Sequence, residues 1–173
     1  MSQKGLTPQE RGTATHKFME YCNFEAALDN LEDEIERLYE WQYISRNEAD
    51  AIDKQSVNAF FVSTAYSYII KSKAVYREYQ FVSKLNANKL NDLIPKENNE
   101  YSIIQGVADC IVENQNDIII IDYKTDNSND EQHYINEYSK QLELYANVLE
   151  EIFAKPVSKK IIYSFKLKKC IEV

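Results

Sequence analysis

Two aspartates and a lysine are spaced in the sequence so that their side chains could act together in catalysis. Asp109 lies in the apolar run 107–112, Asp122 follows the apolar run 118–121, and Lys124 comes two residues later. The polar segment 114–117 between the two runs is typical of a turn, so the sequence predicts a hairpin of two strands. If the turn is centred between residues 115 and 116, the numbers of cross-strand partners add up to 231. Asp109 then faces Asp122, with roughly 4.5–5.5 Å between their Cβ atoms.

Two facing carboxylates repel one another and destabilise a sheet. The run Ile118 to Ile121 is apolar on both faces, as expected of a central strand that is covered on both sides. A carboxylate at the end of such a strand is costly unless a cation lies against it, and a divalent metal ion suits carboxylate oxygens. Lys124 points to the same side as Asp122, because side chains two apart share a face of a strand. Two acids and an ammonium at one place are typical of phosphodiester hydrolysis.

Five short motifs then link the chain to a known family. They are RGTATH (residues 11–16), REYQF (77–81), QGVAD (105–109), IDYKTD (121–126) and QLELY (141–145). Together they resemble the PD-(D/E)XK nuclease core and, more narrowly, the C-terminal nuclease domain of the AddA/RecB helicase–nucleases. The resemblance runs from about residue 5 to 167, and five motifs in the family's order are far more specific than any one.

The predicted metal ligands are Asp109 and Asp122, and the expected ion is Mg²⁺ or Mn²⁺. The resemblance implies a third ligand, His16, although a single histidine on a helix is more often structural. It also implies that the backbone carbonyl of Tyr123 is a further ligand. Lys124 is expected either to position the attacking water or to stabilise negative charge in the transition state.

Glu78 matches the family's strand before the catalytic hairpin, and it is a secondary candidate. It would bind metal directly or through water, or accept a hydrogen bond from Lys124. Gln141 and Tyr145 are four apart on one predicted helix and share a face. The resemblance makes them substrate-binding residues that contact phosphate and brace the site, whereas the residues alone fit a glutamine at the core edge and a packing tyrosine equally well.

Three further features have simpler alternatives. Gly12 could permit the close approach of another backbone, and His133 is expected to be solvated. The lysines between residues 155 and 169 occur with no acid among them. They either guide a DNA strand or form the solvated edge of the sheet.

Composition restricts the function classes. The net charge of −8 is unusual for a DNA-binding protein, although acids gathered for a metal and a larger assembly would account for it. With three glycines the chain has no GxxxxGK phosphate loop, so ATP is expected only through a helicase region outside it. The three cysteines lack metal-ligand spacing, which argues against the iron–sulfur cluster of some relatives and suggests reduced thiols in the cytoplasm. No apolar run is long enough to span a bilayer, and no signal peptide is evident.

The elements that must position these residues follow from periodicity. Helices are expected from Pro8 to about Tyr21, through Leu28 to Leu38, from Asn47 through Phe61, and around 66–70. A strand over 74–85 is followed by a polar connection at 86–100, the hairpin, a helix over 134–153 and a last strand over 161–168. This order predicts an α/β fold, a small mixed sheet flanked by helices. The resemblance specifies a restriction-endonuclease-like PD-(D/E)XK core in a single domain over 1–173, with a mainly helical part to residue 72 and the catalytic sheet and helix over 73–173.

The predicted function is that of a Mg²⁺-dependent DNA exonuclease domain that degrades unwound single strands during double-strand break repair and recombination. The expected partners are DNA, a helicase region and a second nuclease–helicase subunit. The alternatives are a stand-alone nuclease of the same type and a non-catalytic DNA-binding or scaffolding module of the same fold.

Overall fold

The computed structural model describes residues 6–86 and 101–173. In this part of the chain six helices precede three strands, and a seventh helix precedes two more strands. The helices are α1 (Pro8–Tyr21), α2 (Phe24–Asp29), α3 (Leu31–Glu40), α4 (Arg46–Ala51), α5 (Lys54–Phe61), α6 (Thr64–Ile69) and α7 (Glu131–Phe153). The strands are β1 (Ala74–Asn86), β2 (Tyr101–Glu113), β3 (Ile118–Lys124), β4 (Val157–Ser164) and β5 (Lys169–Glu172). The predicted α/β class with N-terminal helices is confirmed.

The chain forms two compact units. The helical unit comprises Met1–Ser67, Tyr123–Asn129 and Tyr163–Cys170, and the sheet unit comprises Tyr68–Asp122, Asp130–Ile162 and Ile171–Val173. The division into a helical part to residue 72 and a catalytic part from 73 stays a prediction.

Local capping sets the helix boundaries in the helical unit. The predicted start of α1 is confirmed, because Thr7 and Glu10 form a capping box. The prediction of one helix through Leu28 to Leu38 is wrong, since Asn30 ends α2 and caps α3 with its side chain. Leu28 is accordingly 53% exposed.

The predicted helix from Asn47 is also two helices. Ser45, rather than Asn47, caps α4 in a capping box with Glu48. Asp53 caps α5 by accepting hydrogen bonds from the backbone N–H groups of residues 55 and 56. Phe60 on α5 is fully buried. Its ring contacts six aromatic side chains of this unit: Phe24, Phe61, Tyr66, Tyr123, Tyr163 and Phe165.

The strands form one sheet in the order β1-β2-β3-β4-β5. β1, β2 and β3 are antiparallel neighbours. The β2–β3 pairs run from Glu113↔Ile118 to Cys110↔Ile121, so their numbers add up to 231 as predicted. Residues 118–123 of β3 are all buried, which confirms the expectation of a central strand.

The prediction of a last strand over 161–168 is wrong. β4 ends at Ser164, whose side-chain oxygen accepts a hydrogen bond from the backbone N–H of Leu167 at 3.1 Å. Lys168 has a φ of 54°, and the chain turns into β5. The lysines therefore do not mark β4 as an edge strand, because β5 lies beyond it in the sheet.

Two other boundaries differ. Asp130 caps α7, so the helix begins at Glu131 rather than at Tyr134. Asn86 belongs to β1, and the rest of the predicted connection, 87–100, lies outside the described residues.

Candidate functional site

Three acidic residues of the sheet unit, Glu78, Asp109 and Asp122, belong to the neighbouring strands β1, β2 and β3. The β1–β2 pairs on either side of Glu78 place it opposite Asp109. The β2–β3 register, continued by one pair, places Asp109 opposite Asp122. A carboxylate oxygen of Glu78 and one of Asp109 lie within 4.8 Å of each other. Asp122 is only 5% exposed.

This carboxylate row (Glu78, Asp109 and Asp122) is costly for the sheet by itself. Like charges on facing residues are destabilising, and a buried carboxylate needs compensation. Glu78 also has a φ of 46°, a left-handed conformation that costs roughly 1–3 kcal/mol for a residue with a side chain. A divalent cation would offset the charge, and carboxylate oxygens are the ligands that Mg²⁺ and Mn²⁺ prefer. The donor set of the row therefore fits such an ion.

The helical unit holds the end of β3 together with α1. Tyr123 is 2% exposed, and His16 meets it edge to face with 6.2 Å between ring centroids. Lys124 is the last residue of β3, and its backbone carbonyl accepts a hydrogen bond from the N–H of Phe165 at 2.9 Å. Within this unit, His16 thus lies beside Tyr123, the third residue of the IDYKTD motif.

Gly12 explains how α1 approaches that motif. A Cβ atom on Gly12 would lie 2.6 Å from the Oγ1 atom of Thr125. The expected close approach at Gly12 is present, although its partner is a side chain rather than a backbone.

Gln141 and Tyr145 are joined in the sheet unit. The amide nitrogen of Gln141 donates a hydrogen bond to the Tyr145 hydroxyl at 3.2 Å. The Tyr145 ring meets Phe81 edge to face, with 4.9 Å between centroids. A Cβ atom on Gly106 would lie 2.7 Å from Phe81 and 2.8 Å from Tyr145.

The packing role of Gly106 and Phe81 was missed at the level of sequence. A glycine inside a predicted strand is itself a signal that another group approaches the backbone closely, and Gly106 carries that signal. His133 is exposed, as expected.

The family model of the PD-(D/E)XK nuclease superfamily matches residues 2–170. The chain belongs to this superfamily. The identification confirms the resemblance that the five motifs indicated, and it accounts for acidic residues on adjacent strands followed by a lysine.

This PD-(D/E)XK chain is similar to several bacterial proteins that are named as ATP-dependent helicase/nuclease subunits and are of the AddA type. It is 31% identical to that of Clostridium novyi (strain NT), over 98% of this chain and 14% of the relative. It is 34% identical to that of Oceanobacillus iheyensis, over 97% of this chain and 14% of the relative. It is 33% identical to that of Clostridium beijerinckii, over 99% of this chain and 14% of the relative. The PD-(D/E)XK chain thus spans about 14% of the length of these curated relatives.

The chain also matches a solved structure, the crystal structure of SSO0001, with a TM-score of 0.41 and 15% sequence identity. The match covers all of this chain and 68% of the other chain. That likeness is too distant to inform the site. Among the described residues, every helix is too short or too polar to cross a membrane.

The family and fold of the chain are thereby established, whereas the roles of its site residues stay predictions. The structure brings Glu78 and Asp109 together, aligns Asp122 with them, and joins Gln141 to Tyr145. His16, Tyr123 and Lys124 belong to the helical unit.

Proposed function

We propose that this chain is the nuclease region of an ATP-dependent helicase–nuclease and that it hydrolyses single-stranded DNA exonucleolytically with Mg²⁺ or Mn²⁺. The observation that carries the proposal is the carboxylate row of a PD-(D/E)XK chain. The relatives named as helicase/nuclease subunits support the context, in which a helicase region and a second subunit deliver unwound strands during break repair. A chromosomal DNA substrate would place the protein in the cytoplasm.

The carboxylate row would hold the ion. Asp109 and Asp122 are proposed as direct ligands, and Glu78 as a ligand directly or through water. His16 and the backbone carbonyl of Tyr123 are proposed to complete the set. When bound, the ion would act as a Lewis acid toward the scissile phosphate and the attacking water.

The chain's own groups would then manage the charge of hydrolysis. A water oxygen forms a new bond to phosphorus and the ester P–O bond breaks, while the water protons pass to the leaving oxygen and to solvent. The Lys124 ammonium would orient that water or offset the negative charge that builds on the phosphate oxygens. Losing one such electrostatic interaction typically lowers a rate on the order of 100- to 1000-fold.

Gln141 and Tyr145 would bind a DNA phosphate next to the scissile one. Their mutual hydrogen bond fixes the hydroxyl of a side chain that is only 9% exposed, so the pair presents polar atoms from a rigid support. Such a support positions substrate at little entropic cost.

Activity on single-stranded DNA tests the reaction directly. The wild-type chain should digest a labelled oligonucleotide with Mg²⁺ or Mn²⁺ and stop with EDTA. Lys124→Ala and Asp122→Asn should both lose cleavage. Near-normal turnover in Lys124→Ala would contradict its role, and an inactive wild-type chain that still binds DNA would favour a non-catalytic module.

Thermal unfolding tests metal binding without relying on activity. Manganese at ten times its dissociation constant should stabilise the wild type by about 1.4 kcal/mol. For a chain of this length that raises the midpoint by about 3–6 °C. Lys124→Ala should keep the shift, whereas Asp109→Asn and Asp122→Asn should lose it.

Asp117→Asn is the matched control, because it removes an acid of the same hairpin that is hydrogen-bonded to Ser158 and Asn114 instead. It should keep the manganese shift. The same shift in Asp109→Asn and Asp122→Asn as in the wild type would refute the metal assignment.

A further inference from the structure

The helical unit contains a cavity of about 530 Å³ next to the segment that follows Lys124. Its lining includes Arg11 and Thr15 from α1, Thr125 after β3, and Lys166 and Lys168 from the turn between β4 and β5. The volume lies within the range of roughly 300–1000 Å³ that is typical of ligand sites. The turn between β4 and β5, which the sequence wrongly predicts as a continuing strand, thus forms one wall of this cavity.

The cavity has an excess of positive charge. Its charged lining groups are the side chains of Arg11, Lys166 and Lys168 and a single carboxylate, that of Asp53. The Asp53 carboxylate already accepts hydrogen bonds from the Ser56 hydroxyl at 2.5 Å and from two backbone N–H groups at the start of α5. These bonds, that of the Ser56 hydroxyl first, and to a smaller extent the charge of Lys168 lower the pKa of Asp53, which is therefore ionised near neutral pH. Three cations and one anion leave two positive charges.

That excess is informative in a chain with a net charge of −8. Three lysines of the basic segment 155–169 are neutralised within the sheet unit by ion pairs: Lys155 with Glu113, Lys159 with Glu172 and Lys160 with Glu143. Among the residues that the structure describes, neither Lys166 nor Lys168 has a carboxylate oxygen within 4.0 Å of its amino group. Of the six lysines in this segment, three therefore form ion pairs within the sheet unit and two line the cavity.

We infer that this cavity binds a backbone phosphate of the DNA strand, an inference that rests on the proposed nuclease function. A guanidinium offers a planar fork of donors to a phosphate, and two ammonium groups add point charges. Thr125 and Asn127 also line the cavity and add polar groups. Base stacking would not explain the site, because its one aromatic side chain, Phe165, is only 5% exposed.

The residues that line the cavity include a neighbour of Lys124, so a phosphate bound there would help to position the DNA strand. Thr125 directly follows Lys124 in the sequence, so a strand held by the cavity lies along the segment that carries the proposed catalytic lysine. Gly12 leaves space for the Thr125 hydroxyl against α1, and both residues line the cavity. The cavity would thus fix the register of the strand without taking part in bond breaking.

Binding of a fluorescein-labelled oligothymidylate in EDTA tests the inference without cleavage. The variant Lys166→Gln/Lys168→Gln should weaken binding on the order of tenfold, since a charge-assisted hydrogen bond contributes about 1.4 kcal/mol or more. Its affinity should also depend less on salt, with the slope reduced by about 0.7 for each phosphate that the variant no longer neutralises. The charge-matched control Lys159→Gln/Lys160→Gln should leave both quantities near the wild-type values.

Equal weakening by the two double variants would show a general charge effect and overturn the inference, as would no weakening by either. Binding of dTMP is measured in the same way. If Lys166→Gln/Lys168→Gln lost dTMP binding but kept oligonucleotide binding, the cavity would bind free nucleotides, which also overturns the inference. Arg11→Gln gives an independent variant on another element and should act in the same direction.

Cleavage separates this inference from the proposed function. Cleavage rates are measured with Mg²⁺ over oligonucleotide concentrations that reach saturation. Lys166→Gln/Lys168→Gln should keep the wild-type turnover number and raise KM on the order of tenfold. Cavity-dependent binding by a wild-type chain that does not cleave would leave the inference standing and refute the nuclease. Normal cleavage with cavity-independent binding would refute the inference alone.

Discussion

Gly106 offers a sharp test of the packing beneath the Gln141–Tyr145 pair. We expect Gly106→Ala to destabilise the protein and to slow cleavage. The new Cβ atom would lie 2.7 Å from the ring of Phe81 and 2.8 Å from the Cζ and hydroxyl atoms of Tyr145. Ordinary van der Waals separation is about 3.4–4 Å, so both rings must move by roughly 0.6–0.7 Å or more.

Two opposing effects set the size of the change. Overpacking of this kind typically costs about 1–3 kcal/mol. The substitution also restricts the unfolded chain and recovers about 0.4–1 kcal/mol, since the backbone of Gly106 has a negative φ that alanine can adopt. At the midpoints of these two ranges the net loss is about 1.3 kcal/mol, or a fall of about 3–5 °C in the unfolding midpoint. Because displaced positioning groups can lower a rate about 100-fold, cleavage should fall by more than stability explains.

Thermal unfolding and steady-state cleavage at a temperature well below the midpoint separate the two effects. Val107→Ala is the neighbouring control, because the Val107 side chain is 40% exposed and its truncation should change both quantities little. Gly106→Ala/Phe81→Leu removes one clashing ring and should recover part of the stability. A Gly106→Ala protein with wild-type midpoint and turnover would refute this account of the packing.

Two predictions concern ion pairs away from the site. Glu34→Ala removes a carboxylate that is 2% exposed and accepts two hydrogen bonds from Arg37. It should lower the free energy of unfolding by about 1–3 kcal/mol, discounted because Arg37 reaches solvent, while Glu32→Ala on the exposed side of the same helix changes it little in a denaturant titration. A hydrogen bond from Lys155 holds the pKa of Glu113 below its ordinary value of 4.5, so its stabilisation is present above pH 4.5 and is lost as pH falls through the lower, folded-state value. Glu113→Gln should therefore show a shallower fall of the unfolding midpoint below pH 4.5, and an unchanged acid profile would contradict the assignment.

The parts of the fold that the sequence predicts best are those governed by local rules. The register of the hairpin followed from the centre of one short turn, and β2 and β3 have that register. The capping box at Thr7 likewise set the start of α1. The failures occurred where a polar side chain interrupts an apolar pattern. Asn30 splits one amphipathic stripe into two helices, and Ser164 stabilises a turn where alternation alone predicted a continuing strand.

The candidate site divides in the same way. The prediction that Asp109 faces Asp122 depends on the β2–β3 register, and counting residues was enough to predict that register. The cavity of the helical unit was beyond such counting, because its walls come from α1, from the segment after β3 and from the turn before β5. Only the fold distinguishes Lys166, which lines that cavity, from Lys160, which is paired with Glu143.

The conformation of Glu78 is the strongest physical argument that the carboxylate row has a purpose beyond the fold. The β1–β2 pairs keep one register on both sides of Glu78, so no residue is inserted there and the left-handed φ is not the consequence of a bulge. A strained residue costing roughly 1–3 kcal/mol is a large share of a total stability of about 5–15 kcal/mol. The sheet nevertheless sets this glutamate against Asp109, another acid, where repulsion adds to the strain. A packing role would be met by any residue of suitable size without the backbone strain, whereas a cation bound by the row would compensate the like charges.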